Sequence, residues 1–545
     1  MFTEVHYLEQ PIGSSLDLPL LSPSQDVAHL LTSNDVPLDS DIPVLRHIIA
    51  DGLKTLDALE DYISILKSTL ARLAAVEAWD TQIHSALAQL TRIHDATAKT
   101  VCDYRAVLHP VRCVPEELIC EIFVQVLWSE CANNSRLPQP WHLGHICQSW
   151  RRAALSYPRL WTSITFPSLG TCERSAMMET QLSRSGNTPL DILWEGDKFV
   201  ESRMLESVAT HSNRWRVLRL HSHQPLFGGS ERALDWLRPV SGRLAQLERL
   251  ELVTASSTLL VPHVFAAAPE LREVVLSDRE FSVFSPEHIK IPWEQITHFR
   301  GCYPLSHQLK ILQEAANLVE CAIGYTPFSP NAVSRYILLP QLRRLHLTDS
   351  VILDYIEAPL LETLSYRITY RGSNPLFHLR FKSLTKLVFI DSKTSLPSCS
   401  KVIALLQGLP NLTYLLLGGR FPARSQTNLF NSLSLSGTSS NICPNLTSFL
   451  FGYDPRDDMD GLSFPCDTLL TMVQSRLELH RTTTPVYLQS NSSRLGFLRI
   501  FHFEEPSVVA PRSIQDMLRM LKGIGLDAAF LPHRELEHLQ TGDFI

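Results

Sequence analysis

The sequence predicts an α/β protein in which a helical N-terminal part precedes a long solenoid of short parallel strands backed by helices. Three observations predict this fold. Residues 42–106 carry an apolar heptad pattern, and residues 107–166 contain two short amphipathic helices that form a small all-α module. Between residues 188 and 505, one six-residue apolar pattern recurs along the chain.

Bulk composition narrows the possible function classes. The chain has 545 residues, 44% of them hydrophobic, which is too long for one ordinary core. A net charge of -7 is a poor match to a polyanion, so no nucleic-acid partner is expected. Neither a signal peptide nor an apolar run of about 20 residues is visible, so no membrane partner is expected. The 11 cysteines lack C-x-x-C spacing, which favours reduced thiols in the cytoplasm or nucleus.

The first 106 residues divide into two segments. Residues 1–41 are rich in Ser, Pro and Asp and are predicted to be a flexible leader. Residues 42–106 are predicted to be an amphipathic or coiled-coil helical segment, because apolar residues repeat every seven positions in two series: Ile49, Leu56, Ile63 and Leu70, and Leu59, Leu66 and Leu73. The phase breaks near Trp79, so a bent helix and a helical hairpin both fit. The seam can pack on its own chain or pair with a second copy.

The segment 107–166 is predicted to form a small helical module with more apolar surface than it can bury. Its first helix begins at Pro115, a residue suited to a first turn. Two adjacent apolar rows then follow at helical spacing: Leu118, Ile122 and Val126, and Ile119, Phe123 and Leu127. A module of about 60 residues cannot cover both rows, so the excess predicts a partner helix or groove.

Residues 188–505 are predicted to form irregular leucine-rich repeats. The pattern apolar-x-x-apolar-x-apolar fits segments such as "LERLEL" at 247–252 and "LTYLLL" at 412–417, mostly at intervals of 19 to 28 residues. Its last part alternates with period two, which predicts short strands stacked into a parallel sheet. The usual asparagine after each strand is missing, so no ladder of asparagines is expected there. Residues 506–545 are predicted to be a closing helix and tail.

The module 107–166 resembles an F-box in the form common in basidiomycete fungi. The resemblance rests on "VPEELICEIF" (114–123) and "LGHICQSWRRAALSYPRLW" (143–161), with heptads before and degenerate leucine-rich repeats after it. It implies a non-catalytic, substrate-recognition subunit of an SCF-type cullin–RING ubiquitin ligase, whose F-box binds a Skp-type adaptor. The implied adaptor contacts are Pro115, Glu116, Leu118, Ile119, Ile122, Phe123, Leu143, Ile146 and Trp150.

No catalytic, cofactor or metal site is expected, because none of the nucleophile, phosphate-loop or metal-ligand motifs is present. Candidate contacts for a protein substrate are residues that lie between the two inward apolar positions of a strand: Arg219, Glu251, His346 and Ser365. A rival hypothesis is a leucine-rich-repeat scaffold without any ligase role, which self-associates through residues 43–105. Oligomers without a cullin would favour that rival.

Overall fold

The computed structural model describes residues 27–73, 77–133, 140–166, 172–195, 202–221, 235–254, 263–278, 289–326, 336–348, 351–368, 381–395, 399–436, 441–453, 464–478, 494–502 and 510–531. Residues 1–26 of the predicted leader and residues 532–545 of the predicted tail lie outside these ranges. The chain divides into two compact units. The first, the helical unit, comprises residues 1–163 and 180–188, and the second, the repeat unit, comprises residues 164–179 and 189–545.

The helical unit is built around a helical hairpin. Its helices are α1 (His29–Thr32), α2 (Asp41–Leu73), α3 (Glu77–Val107), α4 (Glu116–Asn133) and α5 (Gln148–Ser156). The heptad residue Leu59 on α2 is buried, as are Ile83 and Leu90 on α3, and the two helices lie side by side. Of the two arrangements that fitted the sequence, the structure has the hairpin.

Part of the predicted leader packs onto this hairpin. Val27 and Leu30 are buried in one cluster with Leu45, Tyr104 and Val107. The Arg112 guanidinium Nη1 donates to the carbonyl oxygens of Leu30 and Ser33, at 2.9 and 3.0 Å. Residues 27–35 therefore belong to the helical unit.

Within the described ranges, the repeat unit is built on one sheet of 14 strands whose spatial order follows the chain, and only Ser163, the first residue of the first strand, belongs to the helical unit. These are β1 (Ser163–Thr165), β2 (Leu190–Glu195), β3 (Trp215–His221), β4 (Arg249–Thr254), β5 (Glu273–Asp278), β6 (His298–Pro304), β7 (Glu320–Thr326), β9 (Arg344–Leu347), β11 (Thr363–Ile368), β12 (Lys386–Ser395), β13 (Tyr414–Arg420), β14 (Ser448–Tyr453), β15 (Phe497–His502) and β16 (Asp527–Leu531). From β2 to β16, neighbouring strands pair in parallel. A separate parallel pair consists of β8 (Ile337–Leu338) and β10 (Ile356–Glu357).

Helices accompany the strands of this unit. They are α6 (Cys172–Arg184), α7 (Ser202–Thr210), α8 (Leu305–Glu314), α9 (Cys399–Gln407), α10 (Ala423–Leu433), α11 (Cys466–Glu478) and α12 (Arg512–Gly523). The last five residues of α6 belong to the helical unit. Helix α12 buries Ile514, Met517, Leu518 and Leu521, as its amphipathic pattern predicts, and β16 then adds a further strand.

The observed strands confirm the α/β fold with a long parallel sheet. Every segment that fits the repeat pattern contains a strand, from β3 in "WRVLRL" to β15 in "LGFLRI". In every repeat after β3, the first apolar residue of the pattern lies in the turn before the strand and is buried, as Leu247, Leu271 and Leu412 illustrate. The apolar period therefore defines both the strands and their leading turns.

The leading turns are held together by a ladder of polar groups. The amide of Thr413 donates to the carbonyl of Thr385, and the amide of Thr447 donates to that of Thr413, both at 2.8 Å. Side chains just before the pattern act likewise, since Asn411 Nδ2 donates to the Lys382 carbonyl at 2.9 Å and Asn317 Nδ2 to the Glu294 carbonyl at 2.7 Å. The sequence predicts no asparagine ladder after the strands, but asparagine side chains before the strands make hydrogen bonds of this kind.

Candidate protein-interaction surfaces

Helix α4 begins where the sequence places its start. The Pro115 carbonyl accepts hydrogen bonds from the amides of Leu118 and Ile119, both at 3.1 Å. Proline suits this position because it has no amide hydrogen to leave unpaired. Glu116 and Glu117 occupy the first turn, where the helix dipole favours negative charge.

One of the two apolar rows of α4 forms the core of the surrounding helices. Ile119 and Phe123 are buried, with exposures of 8% and 1%. They share a cluster with Ala153, Ala154, Leu160 and Trp161, against which Leu143 and Trp150 are packed half-buried. The rings of Phe123 and Trp150 meet edge to face, with centroids 5.0 Å apart. Four of the nine implied adaptor contacts therefore hold the module together.

The other row of α4 faces outward. Leu118 is 56% exposed and Ile122 is 51% exposed, and Val126 continues the row one turn later. Side chains four residues apart lie above one another on a helix, so Leu118 and Ile122 form one apolar strip. We call these two residues the α4 strip. Ile146, just before α5, is 58% exposed.

The remaining two implied contacts stand at the start of the helix. Pro115 is exposed, whereas Glu116 is half-buried and bonded within the module. The Ser156 hydroxyl donates to Glu116 Oε1 at 3.1 Å, and Arg152 Nε lies 3.5 Å from Oε2. Glu116 thus links the start of α4 to α5.

The helical unit also includes a residue that sequence reasoning missed. The Arg184 guanidinium carbon lies 4.6 Å from the centroid of the Trp161 ring and 4.9 Å from that of Trp141. The two rings meet edge to face, with centroids 4.8 Å apart. Arginine over an indole face is a favourable cation–π contact. Arg184 lies beyond the segment 107–166 and matches no local pattern, so only the folded chain reveals the contact.

In the repeat unit, all four predicted substrate contacts lie in one row across the sheet. The strand register joins residues on the same face in the order Leu193, Arg219, Glu251, Val275, Arg300, Ala322, His346, Ser365, Val388, Leu416, Leu450, Arg499 and Ala529. We call this the central row. The structure therefore brings Arg219 next to Glu251, and His346 next to Ser365.

Glu251 is the centre of an ionic cluster. Its carboxylate lies 2.9 Å from His221 Nε2, 3.4 Å from Arg249 Nη2 and 3.5 Å from Arg219 Nε. Burial by itself would raise the pKa of Glu251, but the hydrogen bond from His221 and the charges of Arg249 and Arg219 hold that pKa below its usual value. At neutral pH this carboxylate is ionised and occupied by partners from its own chain.

The other predicted pair is His346 and Ser365. His346 Nδ1 and Ser365 Oγ lie 2.9 Å apart, and Ser365 is buried. From Val388 to Leu450 the central row is apolar, because Val388, Leu416 and Leu450 are buried with Ile390 and Phe501 in one cluster, and Arg499, the next residue of the row, pairs with Asp527. The polar part of the row thus extends from Arg219 to Ser365.

Arg300 occupies the same position of the repeat pattern and is a further candidate contact. Its repeat, "ITHFRG", ends in Gly301 instead of an apolar residue. Arg300 therefore does not lie between two inward apolar side chains, which is how the other candidate contacts were defined. The Phe299 ring fills the missing space, since a Cβ built on Gly301 would lie 2.5 Å from its Cζ. The Arg300 side chain is exposed on the sheet face.

Metal sites and membrane spans are both absent from the described ranges. No three His, Cys, Asp or Glu side chains there come together as metal ligands. No helix in those ranges combines the length and apolarity needed to cross a membrane.

Comparison with known proteins gives little beyond this geometry. No family model matches the chain, and no curated protein matches its sequence. Nine chains of solved structures match, among them one described as the crystal structure of a TLR13-ssRNA13 complex, at 14% identity and a TM-score of 0.32. That match covers 58% of this chain and 49% of the other, so it spans about half of that protein's length. The architecture therefore rests on the strand register itself.

Proposed function

We propose that this protein is the substrate-recognition subunit of an SCF-type cullin–RING ubiquitin ligase. In this role the α4 strip binds a Skp-type adaptor, and the polar part of the central row holds a protein substrate. The observation that carries the proposal is the α4 strip itself: two large apolar side chains, more than half exposed, on a helix whose other row is fully packed. Exposed apolar side chains in such a row are what a partner helix or groove covers.

The proposed role needs no bond chemistry from this chain. The protein would hold its substrate near the ubiquitin-carrying enzyme, which raises the effective concentration of substrate lysines. Such a ligase acts in the cytoplasm or nucleus, where reduced cysteines are the norm. The eight cysteines whose side chains the structure describes are all free thiols.

The test is co-purification of a Skp-type adaptor with the full chain and with the double variant Leu118→Ala/Ile122→Ala. We expect the variant to lose adaptor capture, because central apolar contacts are worth about 2 kcal/mol or more each. The matched control is Tyr62→Ala/Ile65→Ala, which removes two exposed apolar side chains from α2. Capture that survives in the α4 variant would rule out this surface.

The second candidate is a scaffold that self-associates through residues 43–105. One observation favours it: Tyr62 and Ile65 lie three residues apart on α2 and are 46% and 59% exposed. Light scattering of the two double variants separates the candidates. A scaffold would dissociate when Tyr62 and Ile65 are replaced, and would be unaffected by changes at Leu118 and Ile122.

A further inference from the structure

Within the described ranges, the polar part of the central row contains one arginine that has no acidic partner. Arg219 and Arg249 both contact Glu251, and Arg249 Nη1 also lies 2.9 Å from Glu273. Further along the sheet, Arg344 Nη1 lies 3.4 Å from Glu320. Arg300, between these groups, makes no hydrogen bond or ion pair with any residue that the structure describes.

The neighbours of Arg300 explain why it has no partner among the described residues. In the central row it is flanked by Val275 and Ala322, which have no polar side-chain atoms. The nearest carboxylates of the adjacent strands, Glu273 and Glu320, flank His298 instead, and each already pairs with an arginine on its far side. Because a guanidinium stays protonated at any physiological pH, Arg300 keeps a full positive charge.

The strand next to Arg300 carries small residues at the facing positions. On that face of β7, Ala322 is buried and Gly324 has no side chain, and Cys302 covers Gly324 so closely that a Cβ there would lie 2.8 Å from its Sγ. The next residue of the central row after Ala322 is His346, which has a larger side chain. Arg300 is therefore an exposed guanidinium between two small or apolar, buried neighbours of the central row, Val275 and Ala322.

We propose that Arg300 binds an acidic group, a carboxylate or a phosphoryl group, on the protein segment held by the repeat unit. The inference rests on the proposed function in that it names the substrate chemistry of the same row. A planar guanidinium binds either oxyanion through two parallel hydrogen bonds. Because the nearby carboxylates of Glu273 and Glu320 already pair with arginines, the negative charge that pairs with Arg300 comes from the substrate.

The test measures fluorescence anisotropy of three labelled peptides of about 12 residues with the full chain at low salt, where charge pairing is strongest. The peptides differ only at three central positions, which are glutamate, phosphoserine or asparagine. We expect the acidic peptides to bind and the asparagine peptide not to. Binding of only the phosphoserine peptide would identify a phosphoryl ligand, and binding of only the glutamate peptide a carboxylate ligand.

The variants Arg300→Ala and Arg300→Glu give the decisive comparison. We expect alanine to weaken binding about tenfold or more and glutamate to abolish it. Arg519→Ala is the matched control, since it removes an exposed arginine from α12 that pairs with Asp516 three residues away. Equal loss in the Arg300 and Arg519 variants, equal binding of the asparagine peptide, or no binding at all would overturn the proposal.

Adaptor capture keeps this result separate from the proposed function. Arg300→Ala is expected to capture the adaptor like the unaltered chain. A chain that binds acidic peptides through Arg300 but captures no adaptor would refute the ligase role and leave the acidic ligand established.

Discussion

The ring of Phe123 meets the ring of Trp150 edge to face, with centroids 5.0 Å apart, and this contact joins α4 to α5. The row that contains Phe123 is therefore buried in the helical unit, and the α4 strip is exposed. The two rows should therefore respond differently to truncation. We expect Phe123→Ala to lower the free energy of unfolding by about 3–5 kcal/mol, because it leaves a cavity among buried side chains. Urea unfolding followed by tryptophan fluorescence measures this loss.

Ile122→Ala is the internal control for that experiment. Its side chain is half exposed, so truncation should change the free energy of unfolding by less than about 0.5 kcal/mol. Equal destabilisation by both changes would contradict the assignment of an inner and an outer row.

The sequence could predict both rows of α4 but not their separate roles. Leu118 and Ile119 are adjacent, and each starts a row of the same spacing and the same apolar character. Which row is buried depends on Ala153, Ala154 and Trp161, which lie about 35 positions further along the chain and pack in the same cluster as Ile119 and Phe123. That choice belongs to tertiary packing, so local periodicity contains no information about it.

A buried arginine fastens the segment between α10 and β14. Arg476, on α11, has no exposed surface and donates four hydrogen bonds: two to the Leu433 carbonyl, and one each to those of Ile442 and Cys443. Burial lowers its pKa to about 10, so the side chain stays charged at neutral pH. We expect Arg476→Met to cost about 3 kcal/mol or more, because three buried carbonyls lose their donors. Thermal unfolding monitored by circular dichroism checks this value.

Lysine at the same position provides a sharper test of the guanidinium. Arg476→Lys keeps the charge but lacks the planar fork, so it should restore only part of the lost stability. Arg519→Ala, on the exposed face of α12, should leave the unfolding temperature unchanged. Full restoration by lysine would show that charge alone matters at residue 476.

Threonine hydroxyls strengthen the ladder of leading turns in the last repeats. Thr413 Oγ1 donates to the Thr385 carbonyl at 3.1 Å, and Thr447 Oγ1 to the Thr413 carbonyl at 3.0 Å. We expect Thr413→Val, which keeps the shape and removes the hydroxyl, to cost about 1 kcal/mol in urea unfolding. Thr471→Val, whose hydroxyl bonds within its own helix at an exposed site, should cost less than about 0.5 kcal/mol.

Of the 14 strands in the main sheet, the repeat pattern predicted eleven and missed three. Strand β2 is buried on both faces at Ile192 and Leu193, so its apolar residues run without alternation, and β16 buries the small residue Ala528. Both strands join the sheet because a neighbouring edge is available, which a six-residue pattern cannot express. The pattern placed Arg219 and Glu251 on one face, whereas their ion pair follows from the register between strands.

The ionic cluster at Glu251 should make the stability of the repeat unit depend on pH. Its pKa in the folded protein lies below the unfolded value of about 4.3, so the ionised carboxylate stabilises the fold above that pH. The contribution disappears as the pH falls through the lowered folded pKa. We expect Glu251→Gln to be less stable than the unaltered chain by about 1 kcal/mol at pH 7, and this difference to shrink as the pH falls below about 4. Urea unfolding at a series of pH values measures both chains.

Glu362→Gln is the control, since that exposed carboxylate pairs with Arg343 at the surface and should change stability little at any pH. A difference between Glu251→Gln and the unaltered chain that stays constant or grows on acidification would show that the Glu251 carboxylate does not stabilise the sheet through its charge.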